Sequence, residues 1–140
     1  MILFYGGYKK HLRKLSTMQN KAMRAITLAK YNESATPIYK NLKILPLEEI
    51  YKIQLSKLMF MHTRHELPTP LMELFTVNNA IHSHDTRQKM DPHVRKSNLQ
   101  STSRSLLHRA PATWQEIPYN IKQCRTTNHF IHKLRKYLGY

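Results

Sequence analysis

The sequence predicts a mainly α protein, a small helical bundle interrupted by a loosely ordered segment at about 76–105 with room for a short β-hairpin. Three observations point to it. Apolar residues recur at spacings of three and four near both ends and in the middle of the chain. Proline, threonine and acidic residues stand where helices begin. Between Thr76 and Ser105 the composition shifts to Asn, Ser, Thr, His, Arg and Lys with few large apolar residues, too few to build a packed element. The expected organisation is a helical region over 1–75, a basic, polar, irregular segment over 76–105, and a block over 106–140 anchored by Trp114 and closed by a final helix.

Residues 8–30 form the first expected helix. Leu12, Leu15, Ala22, Ile26 and Ala29 make an apolar stripe flanked by Met18 and Met23. Lys10, Lys14, Thr17, Lys21 and Arg24 fall on the opposite face, so the helix is apolar on one side and cationic on the other. Asn32-Glu-Ser-Ala-Thr36 breaks the pattern, and Thr36 and Pro37 start a short helix to about Lys43. A second proline start at Pro46 opens a helix to about His65, with Glu48 and Glu49 at the positive end of its dipole. Leu47, Ile50, Tyr51, Ile53, Leu55, Leu58, Met59, Phe60 and Met61 cover most of its circumference, leaving only Glu49, Lys52, Ser56 and Thr63 as a polar stripe. So apolar a helix is central or faces a partner.

Leu67-Pro-Thr-Pro70 is a stop, followed by a short helix over Leu71–Phe75. In the irregular segment, Thr86-Arg-Gln and Ser103-Arg-Ser-Leu-Leu107 are candidates for two short paired strands. Leu106, Leu107, Trp114, Ile117 and Ile121 return apolar bulk, with Trp114 as a packing anchor. Thr126 or Thr127 caps a last helix to about Leu138, with Phe130, Ile131, Leu134, Tyr137 and Leu138 inward and His129, His132, Lys133 and Lys136 outward.

A length of 140 residues suits one domain. Lys and Arg total 23 against 8 acidic residues, a net charge of +15 that favours a polyanionic partner and works against an isolated compact fold. Nucleic acid is the expected partner. An anionic membrane is disfavoured, because the basic residues spread along the whole chain and no stretch approaches the ~20 apolar residues needed to span a bilayer. Cys124 is the only cysteine, which excludes an intramolecular disulfide. Ile2-Leu-Phe-Tyr5 is too short for a signal peptide's apolar core, so the expected location is intracellular, nuclear or cytoplasmic, and not secreted.

Seven segments carry a family resemblance when taken in order. They are Tyr8-Lys-Lys-His-Leu-Arg-Lys-Leu15, Met18-Gln-Asn-Lys-Ala-Met-Arg-Ala-Ile26, Thr36-Pro-Ile-Tyr-Lys-Asn-Leu-Lys-Ile-Leu-Pro46, Glu49-Ile-Tyr51, Ile81-His-Ser-His-Asp-Thr-Arg87, Arg109-Ala-Pro-Ala-Thr-Trp-Gln-Glu-Ile-Pro118 and Phe130-Ile-His-Lys-Leu-Arg-Lys-Tyr-Leu138. The series resembles the C-terminal region of reverse transcriptases from non-LTR retrotransposons, the jockey-like LINE elements and their relatives. It covers most of the chain. Ala110, Thr113 and Gln115 depart from the glycine, large apolar residue and asparagine usual in that family. The resemblance implies the region after the polymerase palm, around the thumb and connection, where phosphates of template RNA or an RNA–DNA duplex would be held. It also implies that the polymerase domain itself is absent from this chain.

The residues for chemistry are few. A polymerase of this kind needs carboxylates holding two metal ions, and the family signature is Tyr-x-Asp-Asp. Asp85 and Asp91 each lack an adjacent carboxylate, and Glu48-Glu49 project about 100° apart on a helix. Nine histidines include the pairs His62/His65, His129/His132 and His82/His84, but zinc needs three or four ligands and only one cysteine is present. Cys124 with His129 lacks an orienting third group, and His82-Ser-His-Asp85 is an association along the chain rather than in space. Gly6, Gly7 and Gly139 cannot build a phosphate-cradling loop. No cofactor, metal or enzymatic activity is therefore expected of the chain on its own.

The expected residual role is electrostatic binding of RNA or DNA. Its candidate contacts are Lys10, Lys14, Lys21 and Arg24; then Arg87, Arg95, Lys96, Arg104 and Arg109; and finally Lys133, Arg135 and Lys136. These rest on charge alone. The alternatives are a host-adapted small basic nucleic-acid-binding protein and a remnant of a decayed transposable element with no present function.

Overall fold

The computed structural model describes the backbone of residues 9–81 and 89–140, and the side chains of 12–81 and 89–140. Among these residues the chain is helical with no β-strand. In order the helices are α1 (Lys9–Thr27), α2 (Ala35–Asn41), α3 (Leu47–Thr63), α4 (Thr69–Met72), α5 (Gln100–Ser103), α6 (Leu106–Gln115), α7 (Tyr119–Lys122) and α8 (Thr127–Tyr137), with a 3₁₀ turn at Asn78–Ala80 between α4 and α5.

The helix starts follow local chemistry. Ser34, rather than Thr36, caps α2, its hydroxyl accepting from the Thr36 amide. Pro46 precedes α3, whose first turn carries Glu48 and Glu49. Thr126 caps α8 by accepting from the His129 amide at 3.3 Å. The helix ends share one device. At α1, α2, α3 and α8 the chain closes with paired backbone bonds spanning five and three residues, such as Ile44 N–H to Tyr39 O and Lys43 N–H to Lys40 O. This is the Schellman arrangement, which places its penultimate residue in the left-handed region. That residue is Gly139 at α8 but Leu28, Lys43 and His65 at the other three, with φ of 54°, 52° and 58°.

The main core forms where α6 and α8 pack on α3. At its centre the Phe60 and Phe130 rings stack with centroids 4.4 Å apart, and Trp114 lies against Phe130 at 5.9 Å. Leu55, Met59, Ala110, Ile117, Ile121, Cys124 and Leu134 fill the space around them. The expected centrality of α3 is thus met inside the molecule. Its polar stripe is not wholly on the surface, however. Ser56 is buried, and its hydroxyl bonds the Lys52 carbonyl at 2.7 Å, which removes the cost of burying it.

A second, smaller cluster joins α1 to α2 through Met23, Ala35, Ile38 and Tyr39, with Tyr140 packed against it. Gln19 ties α1 to the α2–α3 connection. Its side-chain amide donates to Leu45 O at 3.1 Å and accepts from Leu47 N–H at 3.0 Å.

The segment 76–105 is irregular, but it is tied to the core. The Asp91 carboxylate accepts from the Trp114 indole N–H at 3.0 Å and pairs with Lys122 Nζ at 2.9 Å, beside a fully buried Pro92. Backbone bonds Asn78 N–H to Asp91 O and His93 N–H to Thr76 O make a single antiparallel bridge between Val77 and Pro92. The expected strand over Ser103–Leu107 is overturned. Ser103 ends α5, and Leu106 and Leu107 open α6, their side chains packed toward the main core. Its proposed partner at 86–88 lies outside the described residues. The short helix expected at Leu71–Phe75 begins earlier, at Thr69, because Pro70 sits naturally in a first helical turn.

Two outcomes check this packing. Phe130→Ala should cost about 3–5 kcal/mol in denaturant unfolding, through lost transfer energy and a residual cavity, whereas the exposed Ile26→Ser should cost under about 0.5 kcal/mol. Lys43→Gly should raise stability by about 1 kcal/mol by relieving the left-handed backbone, read from the shift in the same denaturation midpoint.

Candidate nucleic-acid interface

The cationic groups of the described residues fall into exposed sets and structural ones. On α1, Arg13, Lys14 and Lys21 are exposed. At about 100° per residue they share one side of the helix, and no carboxylate precedes Glu33 in the chain. Lys10 lies in α1, its side chain outside the described set. Arg24 is half-buried and its Nε donates to Glu33 O at 2.7 Å, so it braces the turn after α1. Arg13 was not among the expected contacts. It lies about 100° round the helix from Lys14 and about 80° from Lys21, at the edge of the cationic side.

On α8, Lys133, Arg135 and Lys136 are exposed, together with His129 and His132. Phe130 and Leu134 fasten the opposite side of this helix to the core. Tyr137, expected inward, is instead exposed. No carboxylate follows Glu116, and Arg125 adds an exposed cation just ahead of α8. Tyr140, just past the end of α8, rests on the α1–α2 cluster; burial and the neighbouring Tyr140 hydroxyl push the Tyr39 pKa up, with Arg24 opposing. The chain beyond α8 therefore reaches the α1–α2 cluster through Tyr140.

The remaining candidates divide. Arg95 and Lys96 are exposed in the irregular stretch after Pro92. Arg104 is half-buried and its Nη2 donates to Gln100 Oε1 at 2.9 Å. Arg109 is half-buried with its guanidinium 5.1 Å from the Tyr51 ring centroid, a cation–π contact inside the fold. Arg87 lies outside the described residues, as do His82, His84 and Asp85. Trp114 is almost wholly buried, with Lys122 Nζ 5.0 Å from its ring centroid.

Among the described residues no group of three His, Cys, Asp or Glu side chains stands where it could hold a metal ion. Nor is any helix of these residues long and apolar enough to cross a membrane. His62 is buried on α3, edge-on to Phe75 at 5.4 Å, with Nδ1 lacking a hydrogen-bond partner. Burial pushes its pKa below the ordinary value, with the backbone at Met72 and Phe75 opposing and His65 reinforcing the shift. It is a neutral packing residue holding the 69–75 segment against α3. No family model, curated protein or solved structure matches the chain.

The His62 environment fixes a pH dependence. The unfolded chain takes up a proton near the ordinary value of 6.5, and the folded chain only at lower pH. Stability from the neutral imidazole is therefore complete above pH ~6.5 and is lost progressively as pH falls from there toward the lower folded value. Thermal melts at pH 7.5 and 5.0 should show the drop, and His62→Gln should shrink the difference between them.

Proposed function

We propose that this chain binds the phosphate backbone of RNA or DNA through the outward sides of α1 and α8, without catalysing a reaction. The observation that carries this reading is the pair of carboxylate-free stretches, 1–32 and 117–140, whose helices expose Arg13, Lys14, Lys21, Lys133, Arg135 and Lys136. With no acidic neighbour on the same helix, and no ion pair to any of them among the described residues, these cations attract a polyanion from solution. Arg95 and Lys96 extend the basic surface, whereas Arg24 and Arg109 serve the fold first.

The reading accords with the resemblance to the post-palm region of non-LTR retrotransposon reverse transcriptases, where holding template RNA or an RNA–DNA duplex is the task. Catalysis is left out of the proposal because the sequence contains no adjacent aspartates, and among the described residues no group of three His, Cys, Asp or Glu side chains could hold a metal ion. Contacts made by flexible lysines to phosphates carry no base information, so binding should tolerate changes of sequence.

Titration of a labelled RNA hairpin at several salt concentrations tests the proposal. Log affinity should fall with log salt at about 0.9 per duplex phosphate neutralised. Lys14→Ala and Lys21→Ala should each lower that slope by about one, as should Lys133→Ala. Affinity that ignores salt, or no binding at low salt, would sink the reading.

A further inference from the structure

α1 has three sides rather than two. The side fastened to the protein carries Leu12, Gln19 and Met23, only the last of them fully buried. The cationic side carries Arg13, Lys14 and Lys21. Between them runs an apolar side that is mostly exposed: Leu15 is 53 % exposed, Met18 66 % and Ile26 67 %, with Ala22 and Ala25 also exposed. At about 100° per residue these five fall within roughly a third of a turn. The strip runs straight along the axis for about three turns. Beyond the end of α1, Leu28 is a further exposed apolar residue, 93 % exposed and held in the left-handed conformation that a leucine adopts at a cost. Scattered exposed apolar residues are ordinary, but a continuous strip along one helix is not.

We propose that this strip docks an acidic amphipathic helix of a partner protein. Apolar residues at successive helical turns match the ridge of a second helix. Lys14 and Lys21 line one edge of the strip, and 1–32 contains no acid to neutralise them, so the partner's complementary edge carries Glu or Asp. The other edge is the side by which α1 joins the rest of the protein. The strip therefore lies beside the body, as the wall of a ledge. A bilayer would favour an apolar strip at the outermost point with cations along both edges. A second copy of this chain would bring the same cations face to face with no acid to answer them. The proposal goes beyond nucleic-acid binding and does not rest on it.

A labelled peptide of about 20 residues tests it, with Leu at helical spacing and Glu along one flank, followed by anisotropy against the full chain. Saturable binding of one peptide per chain is expected. The double variant Leu15→Ser/Ile26→Ser should weaken it roughly tenfold or more, while melting as the parent does, since both side chains are exposed. Lys14→Ala/Lys21→Ala should weaken it and reduce its salt dependence, and a peptide with Lys in place of Glu should not bind. RNA affinity of the Leu15→Ser/Ile26→Ser variant should equal the parent's. The proposal is overturned by absence of saturable binding, by indifference to the serine substitutions, by tighter binding to phosphatidylserine vesicles than to the peptide, or by self-association that the same substitutions abolish. A parallel loss of RNA binding in that variant would also overturn it, by assigning the strip to nucleic acid.

Discussion

The stack of Phe60 on Phe130, with Trp114 against its edge, is the contact on which the rest of the molecule depends. Each ring comes from a different helix, so one cluster fixes α3, α6 and α8 together. These helices are far apart in the chain, and the segment between α3 and α6 is irregular. What holds that segment in place is again the aromatic centre: the indole N–H reaches outward to Asp91, and Lys122 of α7 closes on the same carboxylate. A carboxylate so enclosed is stabilised only because both of its oxygens have partners. Removing Lys122 would leave a largely buried charge uncompensated, a change that ordinarily costs several kcal/mol, whereas removing the indole would leave one carboxylate oxygen without its donor.

This arrangement also explains where the charge goes. Asp91, Glu49 and Glu66 are engaged internally or with near neighbours, by Lys122, Lys52 and Arg64 respectively. Arg64 does more than pair, since its guanidinium also donates to Cys124 O and lies over the Phe60 ring. The acidic residues thus sit in the middle of the sequence, while the two end helices carry basic residues and no acidic ones. The net charge of +15 is therefore distributed unevenly along the chain, with its excess at the two ends.

Much of this architecture was legible in the chain. The periodicity of α1, α3 and α8, the proline starts and the Thr126 cap all follow from local rules that tertiary packing did not override. Trp114 as an anchor was legible from the return of apolar bulk at Leu106, Leu107, Trp114, Ile117 and Ile121. Other features depend on distant partners and left no local trace. The burial of Ser56, the turn of Ser103–Leu107 into helix, and the capture of Asp91 by Trp114 all arise from groups remote in sequence. For the candidate interface, Lys14, Lys21 and the α8 cations were legible because helical spacing alone sets their side. Arg109 was not, because Tyr51, more than fifty residues away, takes up its guanidinium. The apolar stripe of α1 was recognisable too, but periodicity says only that a stripe exists, not what covers it. The helix meets its neighbours through Leu12, Gln19 and Met23, so Leu15, Met18 and Ile26 of the stripe stay exposed.

Trp114 is the only tryptophan in the chain, and its position gives the molecule a built-in optical probe. Its indole is enclosed by Phe130, donates to a carboxylate and carries an ammonium over its face. Its emission therefore responds to opening of the three-helix centre and release of Asp91. Tyrosine is spread more widely: Tyr39 belongs to the α1–α2 cluster, its hydroxyl donating to Asn20 at 2.9 Å, whereas Tyr51 lies in the main core itself. Tryptophan emission alone is therefore the selective reporter of the three-helix centre, and a change in the molecule that leaves it unmoved lies elsewhere in the chain.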